Sequence, residues 1–327
     1  MSKICYGCGA QLQTKDKEKK GYIPEHKLAD SSYCMRCFRM MHYGDDTRFT
    51  TPKEAKEIIN KVNKDNKFVI FLVDFLNLNE DVIKLFKSIT KRKLLVINKC
   101  ELLPDSINPQ SVLSFVQNYY KINDPIRLKG GTTTHGASVV KRFLLDNYIK
   151  EAYVLGISNS GKSTFINDMA KLYGCDKKKI NVSSKANTTL DFIRMILNDE
   201  LLLIDSPGFI LENAIEHDVV NKNITDYIIQ IKENDTVSLL DDKYFFKFEE
   251  PTPINFFTNA KSEKAIKKYR KVAPGLSNIL DLEHGKIMDI VIKGVGFIRV
   301  KKGCVVTTNV PKKNIEIRES LFGGNHE

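Results

Sequence analysis

No stretch of this chain approaches the ~18 consecutive apolar residues that a bilayer-spanning helix needs, which excludes a helical membrane protein. The opening residues Met1-Ser2-Lys3-Ile4-Cys5 lack the apolar core of a secretion signal and run into a cysteine motif, so a cytoplasmic location is the expectation. No internal repeat or low-complexity tract stands out. Acidic residues are in deficit, 40 Asp and Glu against 51 Lys and Arg, and the formal charge of +11 points to an anionic partner, most commonly nucleic acid. A Lys-rich surface that only keeps the protein soluble is the competing reading of that charge. Cysteine is scarce and uneven. Of seven, Cys5, Cys8, Cys34 and Cys37 form two C-x-x-C pairs, while Cys100, Cys175 and Cys304 stand alone. In a reducing compartment such a set argues for metal ligation over disulfides.

The 327 residues, 42% of them hydrophobic, leave room for two or three domains. Residues 1–49 are polar and cysteine-bearing, with the charged run Lys15–Lys20 between the cysteine pairs. Residues 50–215 alternate strand-like apolar runs with helix-like segments, as a parallel α/β sheet requires. The spacing predicts strands over Phe68–Val73, Leu94–Ile97, Ile126–Lys129, Ala152–Leu155 and Leu201–Ile204. Helices are predicted over Pro52–Val62, Val82–Thr90, Pro109–Tyr120, Ala137–Ile149 and Ser163–Leu172. Residues 216–327 turn to β-branched and aromatic runs, Tyr244–Phe248, Ile287–Ile292 and Gly296–Lys301 among them, with one Lys-rich helix expected near Ala260–Lys271.

The segment Gly156-Ile157-Ser158-Asn159-Ser160-Gly161-Lys162-Ser163 matches the phosphate-cradling pattern G-x-x-x-x-G-K-[ST] at every fixed position, and it lies between a strand-like run and a helix-like one, with Thr164 opening the helix. Backbone N–H groups and the helix end would grip phosphates, Lys162 would neutralise the β and γ oxygens, and Ser163 would ligate Mg²⁺. A second magnesium anchor is expected at the end of an apolar strand. Leu201-Leu202-Leu203-Ile204-Asp205 supplies it, and Gly208, completing D-x-x-G, would sense the γ-phosphate through its N–H. Between the two, Thr188-Thr189 offers a hydroxyl to close over Mg²⁺, with Thr189 taken for its distance to the next strand. Asn98-Lys99-Cys100-Glu101 ends another apolar strand, where α/β folds bind ligands. There a carboxylate at Glu101 can accept both the N1 and N2 protons of guanine, while a charged strand-end turn is the plainer alternative.

The two cysteine pairs, twenty-five residues apart, have the spacing of two knuckles of a four-thiolate zinc site, and a module this small needs such a staple to fold. Four thiolates already close the shell, so His42 is left to the surface or to nucleic acid.

The base reader at 98–101 precedes the phosphate loop at 156–163, the Thr pair at 188–189 and the switch at 205–208. In that order the motifs resemble those of circularly permuted GTPases. With the cysteine module and Cys34-Met35-Arg36-Cys37-Phe38-Arg39-Met40-Met41-His42-Tyr43 at its second knuckle, nearly the whole chain resembles the YqeH-type ribosome-assembly GTPases. The resemblance implies an α/β fold: a circularly permuted P-loop GTPase domain with an N-terminal four-cysteine zinc module and a β-rich C-terminal domain. It also implies binding of GTP and GDP, slow hydrolysis, and a role in maturing the small ribosomal subunit, the C-terminal domain meeting ribosomal RNA. The chain is expected to act as a monomer away from membranes. Asn159 resembles the Asn that ligates K⁺ in potassium-stimulated GTPases, with plain loop hydrogen bonding as the alternative. Because the switch is the last nucleotide-binding element, the chain passes from it almost directly into the C-terminal region.

Three positions depart from the family pattern. Glu101 stands for Asp, Gly130-Gly131 for a Ser-Ala dipeptide, and Ala186-Asn187 for Pro-Gly before the Thr pair. The phosphate machinery is therefore more complete than the base pocket. Phe209 stands where a Ras-like protein has a water-orienting Gln, so intrinsic turnover should be slow. Two other readings remain open: a nucleic-acid-binding assembly factor whose nucleotide domain is largely structural, and an ATPase with a zinc module.

Overall fold

The computed structural model describes residues 3–5, 10–16, 21–29, 31, 33–35, 38, 49–50, 52–103, 108–130, 134–175, 181–183, 192–215, 225–258, 260, 266–269 and 275–322. Packing divides the chain into two units. The first comprises Met1–Asp74, Lys84–Glu101 and Asp124–Ile210, the second Phe75–Ile83, Leu102–Asn123 and Leu211–Glu327.

The strands of the first unit are β1 (Phe49–Thr50), β2 (Phe68–Asp74), β3 (Lys93–Asn98), β4 (Ile126–Leu128), β5 (Glu151–Gly156), β6 (Asn181–Ser183), β7 (Ile193–Leu197), β8 (Leu201–Asp205) and β9 (Gly208–Phe209). The helices of the chain are α1 (Pro52–Lys64), α2 (Glu80–Lys87), α3 (Pro109–Tyr119), α4 (Thr134–Asp146) and α5 (Lys162–Leu172). Seven strands form one sheet in the order β4-β3-β2-β5-β8-β7-β6. Pairing from β4 to β8 is parallel, whereas β7 and β6 add antiparallel at the edge. Strands β2 and β3 are buried along their whole length, which is why they read as unbroken apolar runs. Ile70, Leu72, Val96, Val154 and Leu203 pack against Val140 and Leu144 of α4 and Phe165 and Met169 of α5. Every strand and helix predicted for this stretch is present, with ends shifted by three residues or fewer. The sheet is mixed instead of purely parallel because β7 and β8 are joined by a tight turn through Asn198 and Asp199, left-handed at φ 49° and 55°, and so short a connection permits only antiparallel pairing.

The second unit is β-rich, as expected. It holds β10 (Thr225–Ile231), β11 (Thr236–Leu239), β12 (Tyr244–Phe248), β13 (Thr252–Thr258), β14 (Ile266–Tyr269), β15 (Asn278–Asp281), β16 (Met288–Ile292), β17 (Gly296–Val300), β18 (Val305–Thr308) and β19 (Ile315–Glu319). They form two antiparallel five-stranded sheets, β10-β13-β17-β16-β19 and β14-β11-β12-β18-β15. Their inner faces share one core: Ile254, Phe256, Ile290 and Ile298 from the first, Val237, Phe246, Phe248 and Val306 from the second. The Lys-rich helix expected over Ala260–Lys271 is corrected by the structure. Ile266–Tyr269 is a strand, β14, paired antiparallel with β11, and backbone pairing with that strand outweighs the helix preference of its lysines.

The other face of the first of these sheets carries an aromatic cluster. Phe297 stacks on Phe257 with centroids 4.9 Å apart, and Phe322 and Phe75 meet it edge-on or tilted. Beside it Arg318 is completely buried. Its guanidinium reaches Asp289 Oδ2 at 3.3 Å, the Tyr120 hydroxyl at 2.9 Å and the Leu78 carbonyl at 2.5 Å. Tyr120 donates to Glu316 at 3.0 Å, and Glu316 in turn accepts the N–H of Glu80 at 2.6 Å, capping the start of α2. Lys293 pairs with Asp81 at 2.7 Å, and the Asn213 amide donates to the same carboxylate at 3.2 Å. Polar contacts therefore tie residues 75–83 and 102–123 into the C-terminal sheets.

Burial pushes the Asp289 carboxyl up, opposed first by Arg318. Arg318→Ala leaves that carboxylate buried without its charge partner. The expected loss of stability is about 3–5 kcal/mol, read as a lower denaturation midpoint; an unchanged midpoint would show that the pair contributes no stability.

Candidate nucleotide-binding site

Strand β5 ends at Gly156, and a β-carbon there would lie 2.4 Å from the Leu72 carbonyl oxygen, so only glycine lets the loop leave the sheet at this point. The loop turns through Asn159 at φ 62° and Gly161 at φ 86°, and α5 begins directly at Lys162. No side chain caps the first turn of α5, which leaves its N–H groups turned toward the loop as an anion site requires. Lys162 and Ser163 sit in that turn and are buried. The Ser158 and Ser160 hydroxyls are buried with no hydrogen-bond partner among the described residues. This donor-rich cradle fits a polyphosphate.

The base-side motif docks onto the same loop. Asn98, at the end of β3, donates its amide Nδ2 to the Ser160 carbonyl at 2.8 Å. A β-carbon at Gly161 would stand 2.3 Å from that amide nitrogen, so the glycine serves both its own φ and the approach of Asn98. Lys99 is itself left-handed at φ 64°, and its ammonium lies 3.5 Å from Asp74 Oδ2. Cys100 N–H donates to the Lys129 carbonyl at 3.1 Å, while Glu101 is exposed. Gly130 lies against this turn, where a β-carbon would come 3.2 Å from the Glu101 backbone nitrogen. A side chain in place of Gly130 would crowd the backbone at Glu101.

On the other flank, Asp205 ends β8 opposite Val154 of β5 and is buried. Gly208 opens β9, and a β-carbon on it would lie 3.1 Å from Ser158 Oγ. The Ser158 N–H donates to the Phe209 carbonyl at 2.8 Å, joining loop and switch. Phe209 is 1% exposed and packs on Phe71, so its ring serves the core. Asn98, Lys99, Glu101, Gly156, Asn159, Ser160, Gly161, Lys162, Ser163, Thr164, Asp205 and Gly208 are all described, whereas Thr188, Thr189 and Gly131 lie outside the described residues.

Sequence reasoning missed two groups here. Asp74 ends β2 with the same signature that exposed Asp205, an acid closing an apolar strand, and could have been found that way. The other is a buried ion pair, Lys129 Nζ to Asp168 Oδ2 at 3.3 Å, between the end of β4 and α5. Burial raises the Asp168 carboxyl and the Lys129 charge opposes the rise. Nothing in local sequence joins two positions so far apart in the chain.

In the N-terminal module Cys5 and Cys34 are buried with Leu12 and Ile23, and the Cys34 N–H donates to Cys5 Sγ at 3.1 Å. A backbone N–H on sulfur is the usual outer support of a metal-bound thiolate, so these two fit a zinc site. Cys8, Cys37 and His42 lie outside the described residues, and among the described ones no cluster of three metal-binding side chains occurs.

A strand–loop–helix cradle of this kind, with the turn after β3 bonded to it, has the arrangement of a P-loop nucleotide-binding protein. Residues 151–273 match the family described as 50S ribosome-binding GTPase, a stretch that opens on the first residue of β5 and leaves residues 98–101 upstream. YqeH of Bacillus subtilis is 29% identical over 230 residues, 68% of this chain and 63% of that protein. NO-associated protein 1 of Arabidopsis thaliana is 25% identical over 194 residues, 51% of this chain and 35% of its own. The chain thus spans less than two thirds of the length of these relatives. YjeQ from Thermotoga maritima is similar at a TM-score of 0.31 and 19% identity over 44% of this chain and 48% of that one, a likeness too slight to argue from. By these comparisons the chain is similar to the YqeH-type GTPases.

Burial, and next the charge of Glu101, push the Cys100 thiol up to about 12 from 9.0. An unfolded chain ionises this thiol near 9 and the folded one does not, so its contribution to stability is complete below pH 9 and is lost as pH rises toward 12. At pH 8 Cys100 should alkylate about a hundredfold or more slowly than a free cysteine, measured by peptide mass after timed iodoacetamide exposure; modification at the free rate would place the thiol in solvent.

Proposed function

We propose that this protein is a GTP-binding, slowly GTP-hydrolysing switch that acts in ribosome assembly by binding ribosomal RNA or a small-subunit precursor. The observation that carries the nucleotide part is the 2.8 Å bond from the Asn98 amide to the Ser160 carbonyl. It makes the base reader and the phosphate loop one site, so base identity and phosphate grip are felt together. Lys162 and the first-turn N–H groups of α5 would hold the phosphates, and Glu101 would take the guanine N1 and N2 protons. Ser163, Asp205 and the hydroxyl of Thr189 would hold Mg²⁺, which when bound neutralises charge between the β- and γ-phosphates.

The order of these motifs supports a circularly permuted domain over residues 50–215, preceded by a zinc module at 1–49 and followed by a β-rich, basic RNA-binding domain at 216–327. The working form in this reading is a cytoplasmic monomer acting on ribosomal particles. No helix among the described residues is long and apolar enough to cross a membrane. The family description names the 50S subunit, whereas the YqeH-type resemblance implies the small one; binding to each subunit separately decides between them. Salt should weaken that binding steeply.

Phe209 favours a second reading, in which the nucleotide domain binds but scarcely hydrolyses. Its ring is in the core and offers no group to orient water. K⁺ held by Asn159 would supply part of the missing charge.

Titration with GDP, GTP and ATP should show guanine preference, and Lys162→Ala should abolish binding of all three; ATP preference would overturn the guanine assignment. Phosphate release should be slow in Na⁺, rise in K⁺ and rise further with ribosomal subunits, whereas release flat under all three conditions would leave the structural reading standing. Metal analysis should find one zinc per chain, absent in Cys34→Ser, and a wild-type protein free of zinc would remove the module from the proposal.

A further inference from the structure

Asp74 has no place in the four motifs, yet it is completely buried at the mouth of the site. It is the last residue of β2 and lies in register with Asn98 of β3. Its Oδ2 stands 3.5 Å from the ammonium of Lys99, which is mostly buried. Lys99 occupies the left-handed region at φ 64°, which is uncommon for residues other than glycine. One neighbour of Lys99 is tied down already, because Asn98 holds the Ser160 carbonyl. The other, Cys100, is tied through its N–H to Lys129. Between them Lys99 has a long side chain rich in rotamers, and Asp74 is the charge partner that restrains it.

We propose that Asp74 is a positioning residue for the nucleotide base: its carboxylate fixes the Lys99 side chain, and through it the left-handed turn that presents Glu101. This rests on the reading of Asn98–Glu101 as a base reader. Asp74 itself touches no nucleotide. Its effect is to order Lys99 before the base arrives, so that binding does not have to supply that order. The role is therefore in affinity, equal for the diphosphate and triphosphate, and discrimination among bases stays with Glu101.

The test is a double-mutant cycle of Asp74→Asn and Lys99→Met, read by titration with GDP, GTP, IDP and ADP. Asp74→Asn should weaken GDP and GTP equally, about ten- to hundredfold, and leave the GDP to IDP ratio unchanged. In the Lys99→Met background the same change should have no further effect. Glu101→Ala, by contrast, should collapse the GDP to IDP ratio. Thermal melting of the nucleotide-free variants separates positioning from folding. The proposal is overturned if Asp74→Asn binds as wild type, if its effect is the same size with and without the Lys99 ammonium, or if the weakened binding matches a fall in melting temperature. A wild-type preference for ADP would overturn the guanine reading alone, since the Asp74–Lys99 coupling is then read with ADP. Wild-type protein that binds neither nucleotide would overturn both.

Discussion

One hydrogen bond, from the Asn98 side chain to the carbonyl of Ser160, is the constraint on which the first unit turns. A phosphate loop must leave its carbonyls pointing away from the anion it cradles, and each of those carbonyls needs a donor. Here the donor is Asn98, at the end of β3. That bond explains why Gly161 cannot carry a β-carbon, which would stand 2.3 Å from the Asn98 amide nitrogen. The loop after β5 is joined to its neighbours by backbone and amide bonds, Ser158 to Phe209 on one side and Ser160 to Asn98 on the other.

The second unit is organised around charges removed from water. Arg318, Asp289, Glu316 and Tyr120 form a chain in which each group supplies the partner that burial would otherwise deny its neighbour. Hydrophobic stacking of Phe75, Phe257, Phe297 and Phe322 beside this chain gives the contact area, while the polar bonds fix which segments meet. The same network caps α2 through Glu316 and holds its first turn through Lys293 and Asn213.

The motifs at 156–163, 98–101 and 205–208 are legible in the sequence because each chemistry confines itself to a few adjacent residues. The buried parallel strands are legible for a related reason: burial on both faces demands unbroken apolar runs such as Phe68–Val73. What stays hidden depends on distance along the chain. The Lys129–Asp168 pair and the Arg318 network join residues whose local sequence carries no sign of a partner. The segment Ile266–Tyr269 shows the same limit in its backbone. Its lysines favour a helix when read locally, whereas pairing with β11, a strand thirty residues upstream, makes it extended. Asp74 was within reach, since an acid ending an apolar strand already identifies Asp205.

The packing units interleave along the chain, and this bears on how the protein comes off the ribosome. Residues 75–83 and 102–123 emerge early, between the strands of the nucleotide sheet, yet the Phe297 and Arg318 that bury them are made some two hundred residues later. Domains that are contiguous can fold one after another during synthesis. Here Phe75, Leu78 and Tyr120 must wait for the last strands. Until then an apolar ring, a bare carbonyl and a hydroxyl stand open in segments that directly follow Asp74 and Glu101 in the chain. Completion of the C-terminal sheets is therefore also the moment at which those early-made segments are sealed.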